Sequence, residues 1–482
     1  MLMTRGRFLA MLLAASWALR LALIWQGGQR FFPDEGRFTR SFDFIMDLPR
    51  LGFVQASIAL IGHPDHPIFG VVALPAAAAQ ALAVQLLGLR DGFEDPVGLQ
   101  LAASLLSLWS VGGIAAAYAL GRRLGLDAQA TIIGCVLLGL SNSMLYFSRH
   151  LVPYDAALCL VLLSACVGAT SRVSLRRSMI CGCLAGLALA TYSGYWAGAL
   201  SAPLVHIALR SRVPFELSRR VFGLVVGFLA PILLLLWINV TTVGPGFVDG
   251  TIAFAGSAVQ GDFREGWSLP WEYLWHAEHA LLPVWAFGIL LVIRARRSIG
   301  QSVLILVLTA LVIYVLLSAG ALVGFAVVYG RSSRQLIPFV CLASGLVLFE
   351  MWRVASAKRW IAAAVALVLI ANLAVSFVQE LQIVFPRTFL ARVRPVSAAN
   401  MSTLVGRSDA SAVTTDAYVL LNVALPYPIV GRRDPPAGRV VARVPHPLEY
   451  VPYQYEGYSP QERAILRSTD ISMRLIDTTS SE

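Results

Sequence analysis

The chain has 482 residues, 57% of them hydrophobic and only 13% charged, with a mean hydropathy of +0.70, which excludes an ordinary soluble globular protein. Its formal net charge of +11 rests on arginine, with Lys358 the single lysine; in so apolar a chain this reads as loop charge beside a bilayer rather than a nucleic-acid surface. The six cysteines (Cys135, Cys159, Cys166, Cys181, Cys183 and Cys341) fall in apolar runs, and no soluble segment carries a CxxC or Cys/His cluster, which excludes a disulfide scaffold and a zinc module.

At the amino terminus MLMTRGR precedes an apolar run from Phe8 to Trp25, and Arg20 together with the lack of a small-residue cleavage site predicts an uncleaved anchor. Apolar segments recur at about 67–89, 98–120, 130–147, 155–170, 178–194, 195–209, 221–239, 280–293, 300–328, 335–350 and 360–379, many of them near the ~20 residues of a spanning helix. With 67–89 kept on the outer face as an in-plane or re-entrant helix, crossing parity places residues 1–7, 121–129, 171–177, 210–220, 294–298 and 351–359 on one side. Those segments hold 17 basic residues against Asp127 and Glu216, while the opposite loops hold nine, so the first side is predicted to be the cytoplasm. A crossing by 67–89 would turn the Arg-rich loops outward, and Pro75 with its four following alanines also suits a packed or interfacial helix.

The expected fold is an all-α polytopic membrane protein. About eleven transmembrane helices fall within residues 1–379, with juxtamembrane helices in a first outer loop (26–97) and a further outer loop at 241–279. From residue 380 prolines and charges return, and Tyr418–Ala424 and Ile471–Asp477 read as short strands among turn signals such as Asp434-Pro435-Pro436. Residues 380–482 are therefore expected to form a small C-terminal α/β domain on the outer surface.

The outer loops collect the residues able to do chemistry. RFFPDEGRFTRSFDFIMDLPR carries Asp34 and Glu35 at the membrane face, where partial exclusion from water raises a carboxylate's basicity toward general-base duty. Asp34 is the first catalytic candidate; a cap for the next helix is the alternative. Phe38, Phe42, Ile45 and Met46, interleaved with Arg37, Arg40 and Asp43, predict an amphipathic helix along the bilayer surface. GHPDHP supplies His63, Asp65 and His66, all metal-ligand types at a spacing that matches no metal signature, and a His opening a helix is also placed to meet a phosphate.

SRHLVPYD sets Asp155 at the start of an apolar run, where an ionisable group is a functional hypothesis by default and a helix cap behind Pro153 is the alternative. TYSGYW offers Tyr192, Tyr195 and Trp196 in a short outer turn able to line a substrate groove. Trp267, Trp271 and Trp275 recur every fourth residue as an interfacial stripe. VVYGRSSRQLIP holds Arg331 and Arg334 at headgroup level, suited to bidentate phosphate contact or to plain helix anchoring.

Three of these pieces, Pro33-Asp34-Glu35-Gly36-Arg37-Phe38, His66-Pro67 and Pro153-Tyr154-Asp155, resemble motifs of the GT-C superfamily of membrane glycosyltransferases. The similarity is to the branch of protein O-mannosyltransferases and the bacterial aminoarabinose transferase that modifies lipid A. The first looks like that branch's acidic first-loop motif, the second like its basic-residue-plus-proline step into a juxtamembrane helix, and the third like its second acidic motif. Residues 8–200 carry the resemblance, with Arg331–Pro338 more loosely similar to an Arg-containing step before a late helix. Where the aminoarabinose branch has Lys before the proline, this chain has His66.

The resemblance implies an inverting enzyme that moves a sugar from a polyprenyl-phosphate carrier to a lipid, glycan or protein acceptor at the outer face of the cytoplasmic membrane. It implies Asp34 as base or acceptor-orienting carboxylate, Asp155 as a second acid and Glu35 beside them. Arg37, His63, His66, Arg331, Arg334, Tyr192 and Tyr195 fall to the substrate and phosphate side. No cofactor follows from the resemblance, and a divalent metal stays open. Such a reaction needs a base for the acceptor proton facing cations that stabilise a departing phosphate. A polytopic transporter or lipid flippase is the alternative; it would favour midplane charges and paired repeats, whereas here the acids sit at helix ends and no repeat is evident.

Overall fold

The computed structural model describes residues 5–25, 29, 33–89, 96–170, 174–208, 214–259, 269–278, 301–323, 330–354, scattered positions between 359 and 374, and four short strands between 411 and 477. The helices are α1 (Arg5–Ile24), α2 (Thr39–Ile61), α3 (Pro67–Leu87), α4 (Pro96–Leu106), α5 (Leu108–Arg123), α6 (Ala128–Leu140), α7 (Asn142–Phe147) and α8 (Tyr154–Gly168). They continue as α9 (Leu175–Thr191), α10 (Trp196–Ala208), α11 (Pro214–Thr242), α12 (Gly246–Val259), α13 (Leu269–Glu278), α14 (Gln301–Leu322) and α15 (Ile337–Val354). Short 3-10 turns at Pro33–Phe38, Ser193–Tyr195 and Gly330–Leu336 lead into α2, α10 and α15. The predicted segment 280–293 lies outside the described residues, and only isolated helical positions are described within 360–379.

Among the described residues six stretches are long and apolar enough to cross a membrane, and the α2 stretch (Glu35–Ile61) and α3 (Pro67–Leu87) are two of them. Both ends of the α2 stretch meet the same region: Glu35 before α2 accepts from the loop that precedes Asp155, and His66 after α2 packs on Tyr192.

Close backbone approach through glycine organises the bundle. Gly182 and Gly186 on α9, and Gly223 and Gly227 on α11, each pair at GxxxG spacing, let the two backbones close; a Cβ on Gly182 would run into the Leu224 carbonyl, and one on Gly186 into that of Phe228. A second such contact joins α6 to α15, where a Cβ on Gly134 would lie 2.9 Å from the Cys341 carbonyl oxygen. Around these crossings one large core gathers Ile114, Leu138, Phe147, Leu162, Ile313 and Phe339. A second core places Phe38 and Phe42 of the expected amphipathic segment against Phe69, Ala73 and Ala77 of α3. Helix α2 is not continuous: Gly52 takes φ 73°, ψ 164°, a break that suits a residue without a Cβ, three residues after Pro49.

The predicted helix over 130–147 is likewise broken, because Ser141 adopts an extended ψ of 129° between α6 and α7. The amides freed by that break are satisfied by a carboxylate: Glu278, buried at the end of α13, accepts from Ser143 N–H (2.9 Å), Asn142 N–H (3.0 Å) and Ser141 Oγ (2.7 Å). In the C-terminal region β1 (Ser411–Thr415) runs parallel to β2 (Ile429–Gly431) and antiparallel to β4 (Met473–Asp477), which pairs antiparallel with β3 (Arg439–Val444), giving the order β2-β1-β4-β3. β4 overlaps the predicted strand at 471–477; the one predicted at 418–424 lies outside the described residues.

Candidate active site

Pro153 ends the loop before α8, so Asp155 falls in the first helical turn, where a carboxylate is favoured by the free amides, and it is 6% exposed. The 3-10 turn Gly330–Leu336 delivers Arg334 to it, with Nη2 donating to Asp155 Oδ1 at 2.5 Å. Arg334 also donates through Nη1 to Tyr195 Oη (3.3 Å) and through Nη2 to Met144 Sδ (3.4 Å), and its guanidinium lies 4.8 Å from the Phe147 ring centre. A buried pair of this kind holds only while both charges are present, since either alone would be stranded in low dielectric.

Arg331, one 3-10 turn earlier, donates through Nε to the Tyr192 hydroxyl at 2.9 Å, with its guanidinium 5.5 Å from the centre of the Tyr154 ring. Tyr154, Tyr192 and Tyr195 pack as an aromatic cluster with centroid separations of 4.7 to 6.4 Å. Burial pushes the Tyr195 hydroxyl well above the usual phenol range, and the Arg334 charge only partly offsets this. Gln335 locks the arginine turn in place: its Oε1 accepts from Gly198 N–H at 2.6 Å, and its Nε2 donates to the carbonyls of Gly194 (3.1 Å) and Ser332 (2.8 Å). Gly198 must be glycine for this, because a Cβ there would sit 2.7 Å from Gln335 Oε1.

His66 joins from the first outer loop. Its ring lies 5.0 Å from that of Tyr192, and its Nδ1 accepts from Ser193 N–H at 3.3 Å, so Nε2 is the nitrogen that carries the proton in the neutral ring. Its backbone is left-handed at φ 54°, the single non-glycine among the described residues with positive φ, a conformation costing about 1–2 kcal/mol. Asp65 holds the loop in that shape. Its carboxylate receives Arg37 Nε (2.8 Å) and Arg40 Nη2 (2.5 Å), and its carbonyl receives Arg40 Nη1 (2.9 Å). Burial raises the Asp65 carboxyl's affinity for a proton, but the two guanidiniums prevail and hold it below the usual carboxylate range. Exposed His63 is held below the ordinary imidazole range by partial desolvation and by the charge of Arg40.

Glu35 is 1% exposed, accepts from Leu151 N–H at 2.8 Å and lies 3.5 Å from His150 Nδ1, tying the first outer loop to the loop that carries Asp155. Gln29 strengthens that tie by donating to the Arg149 carbonyl at 3.1 Å. The Asp34 backbone lies in the turn Pro33–Phe38, and its side chain falls outside the described residues. Arg37 is spent on Asp65. Among the described residues no three His, Cys, Asp or Glu side chains come together as a metal site. On α13, Leu274 and Glu278 face the core while Trp271 and Trp275 are exposed; Trp267 lies outside the described residues.

The structure thus brings Asp155, Arg331, Arg334, His66, Tyr192 and Tyr195 to one region from α8, the Gly330–Leu336 turn, the loop before α3 and the turn after α9. Sequence reasoning missed Gln335 and Glu278. The first differs in no visible way from any polar residue beside an arginine, and the second is marked only by being an acid at the end of an aromatic helix.

Neither a protein-family model nor a curated protein matches the sequence. Solved structures do match in fold. ArnT from Cupriavidus metallidurans in the apo state superposes with a TM-score of 0.55 at 13% identity, covering 99% of each chain. The same protein bound to undecaprenyl phosphate gives a TM-score of 0.50 at 15% identity, covering 99% of this chain and 98% of that one. The chain is therefore similar in fold to ArnT.

Proposed function

We propose that this protein is a membrane glycosyltransferase that moves a sugar from a polyprenyl-phosphate carrier to a lipid, glycan or protein acceptor at the outer face of the cytoplasmic membrane. The observation that carries this reading is the convergence of Asp155, two buried arginines and His66 on one face, within a fold otherwise seen in ArnT. The ArnT crystal with undecaprenyl phosphate supports the choice of carrier.

In this reading the acceptor hydroxyl loses its proton to Asp34 and attacks the anomeric carbon from the side opposite the phosphate. The sugar–phosphate bond breaks, the configuration inverts, and the phosphate leaves as an anion met by Arg331, Arg334 and the Nε2–H of His66. Asp155 is the second acid of the site and holds Arg334; Tyr192 and Tyr195 set the two guanidiniums. Glu35 acts as a clasp between the two acidic motifs, and Arg37 as a brace for the His63–His66 loop. In this reading the chain crosses the membrane about eleven times within 1–379, with the amino terminus in the cytoplasm and residues 380–482 as an extracytoplasmic α/β domain.

The test is sugar transfer from a polyprenyl-phosphate donor by the purified full chain. Asp34→Asn and Asp155→Asn should each lower turnover by about 10²-fold or more; unchanged turnover in both overturns the assignment. The broken pair α6–α7 favours a second reading, since interrupted helices are frequent in transporters. A transporter or flippase would move solute or lipid in sealed vesicles without consuming a sugar donor.

A further inference from the structure

Glu278 is a buried carboxylate that the chemistry above leaves out. It ends α13 with 1% of its surface exposed, and its hydrogen bonds among the described residues all come from neutral donors: Ser141 Oγ, Asn142 N–H and Ser143 N–H. A buried anion without a cation is destabilising unless its donors have no better acceptor. Here they have none within the helix, because the break at Ser141 leaves the first amides of α7 without carbonyls in the preceding turn.

Helix α7 has six residues, too few to hold its place by its own hydrogen bonds. Two of those residues meet Arg334. Met144 Sδ receives its Nη2 at 3.4 Å, and the centre of the Phe147 ring lies 4.8 Å from its guanidinium carbon. A thioether and a π face stabilise positive charge but compete only weakly with an anionic oxygen, so they can cradle a cation without displacing an incoming phosphate. The same Nη2 donates to Asp155, and a shift of α7 would therefore move the guanidinium against its carboxylate partner. Helix α13 packs on α7 and also on the Gly330–Leu336 turn that carries Arg334. One helix thus braces both the arginine's own turn and the short helix that cradles it.

We propose that Glu278 is a positioning residue for Arg334: by holding the first turn of α7 it keeps Met144 and Phe147 against the guanidinium and so presets the arginine for the anionic phosphate of the carrier lipid. The proposal rests on the donor reading above.

Two measurements on the purified full-length protein test it: amide exchange across residues 142–147 and titration with undecaprenyl phosphate, with thermal melting of each variant as the check on folding. Glu278→Ala should speed exchange in that segment by about tenfold, the scale of one lost buried hydrogen bond. It should weaken carrier binding by about fivefold, the scale of the ring and thioether contacts released from Arg334. Glu278→Gln keeps one acceptor oxygen and should retain most of the binding. Phe147→Leu leaves Glu278 untouched and should weaken binding by a similar factor, which carries the test even if Glu278→Ala does not fold. In the double variant Glu278→Ala with Phe147→Leu the losses should fall short of additive, because both act through one cradle; damage unrelated to Arg334 would add. Full protection of residues 142–147 or intact binding in Glu278→Ala, intact binding in Phe147→Leu, or additive losses in the double variant each overturn the role of Glu278. A wild-type protein that binds no carrier overturns the donor reading itself, and amide exchange then still decides whether Glu278 holds α7.

Discussion

Removing the carboxylate of Asp155 leaves Arg334 charged and shut away from water, so the two properties measured on an Asp155→Ala variant should fall together: stability by about 3–5 kcal/mol and transfer to background. Asp155→Asn keeps the shape and an acceptor oxygen, and should separate the two, with the larger effect on transfer. Glu35→Gln should behave in the opposite way. An amide oxygen still accepts from Leu151 N–H, so activity should stay within about threefold of wild type, whereas Glu35→Ala abandons a buried amide and should cost about 1–3 kcal/mol.

The loop that carries His66 should respond to acid. The folded proton affinities of both His63 and Asp65 are depressed, so each favours the folded loop above its ordinary titration range and ceases to do so as pH falls through its folded value. The loop should loosen first below about pH 6.5 and again below about pH 4, seen as faster amide exchange at residues 62–66, with Asp65→Asn abolishing the second step alone. Residues with strong local chemistry were legible at this scale: Asp155, His66, Arg331 and Arg334 stand beside helix ends in short polar motifs. Gln335 and Glu278 were not, because the partners that tie them to other elements are more than 130 positions away and a glutamine or glutamate has the same local signature whether or not it finds them.

At the scale of elements, the α9–α11 crossing is the sharpest test of packing. Leucine at Gly186 has no room against the Phe228 carbonyl, and should destabilise by at least ~1–3 kcal/mol and lower the yield of folded protein, while leucine at Gly36, with nothing within 4 Å, should do neither. Hydropathy located most of the long helices because a spanning segment must be apolar throughout, and the spacing of Phe42, Ile45 and Met46 located α2. It could not locate the break at Ser141, where an unbroken apolar run conceals a change of backbone direction that a distant partner stabilises. Glu278→Ala removes that partner from Ser141–Ser143. It should free α13 from α7 and expose the segment around Glu278 to proteolysis without altering the rest of the bundle.

For the whole molecule, the proposed orientation dictates which loops an impermeant reagent can reach from outside. Five of the six native cysteines are buried and Cys183 is partly so, which leaves a quiet background for introduced thiols. In intact cells a cysteine at exposed Ser193 should react with an impermeant maleimide, and one at exposed Ser218 should react only after lysis; the reverse pattern would overturn the orientation.

The glycine contact between α6 and α15 bears on how the site can open. Arg331 and Arg334 ride on the turn that runs directly into α15, and Gly345 lies flush against the backbone of Ala130 and Gly134, with no side chains between to act as bearings. Sliding one rod past the other would drag main chain across main chain, so this side of the molecule serves as an anvil. For the proposed reaction, any movement that admits a lipid donor is therefore expected away from the α6–α15 contact, and the break at Gly52 offers α2 a place to bend.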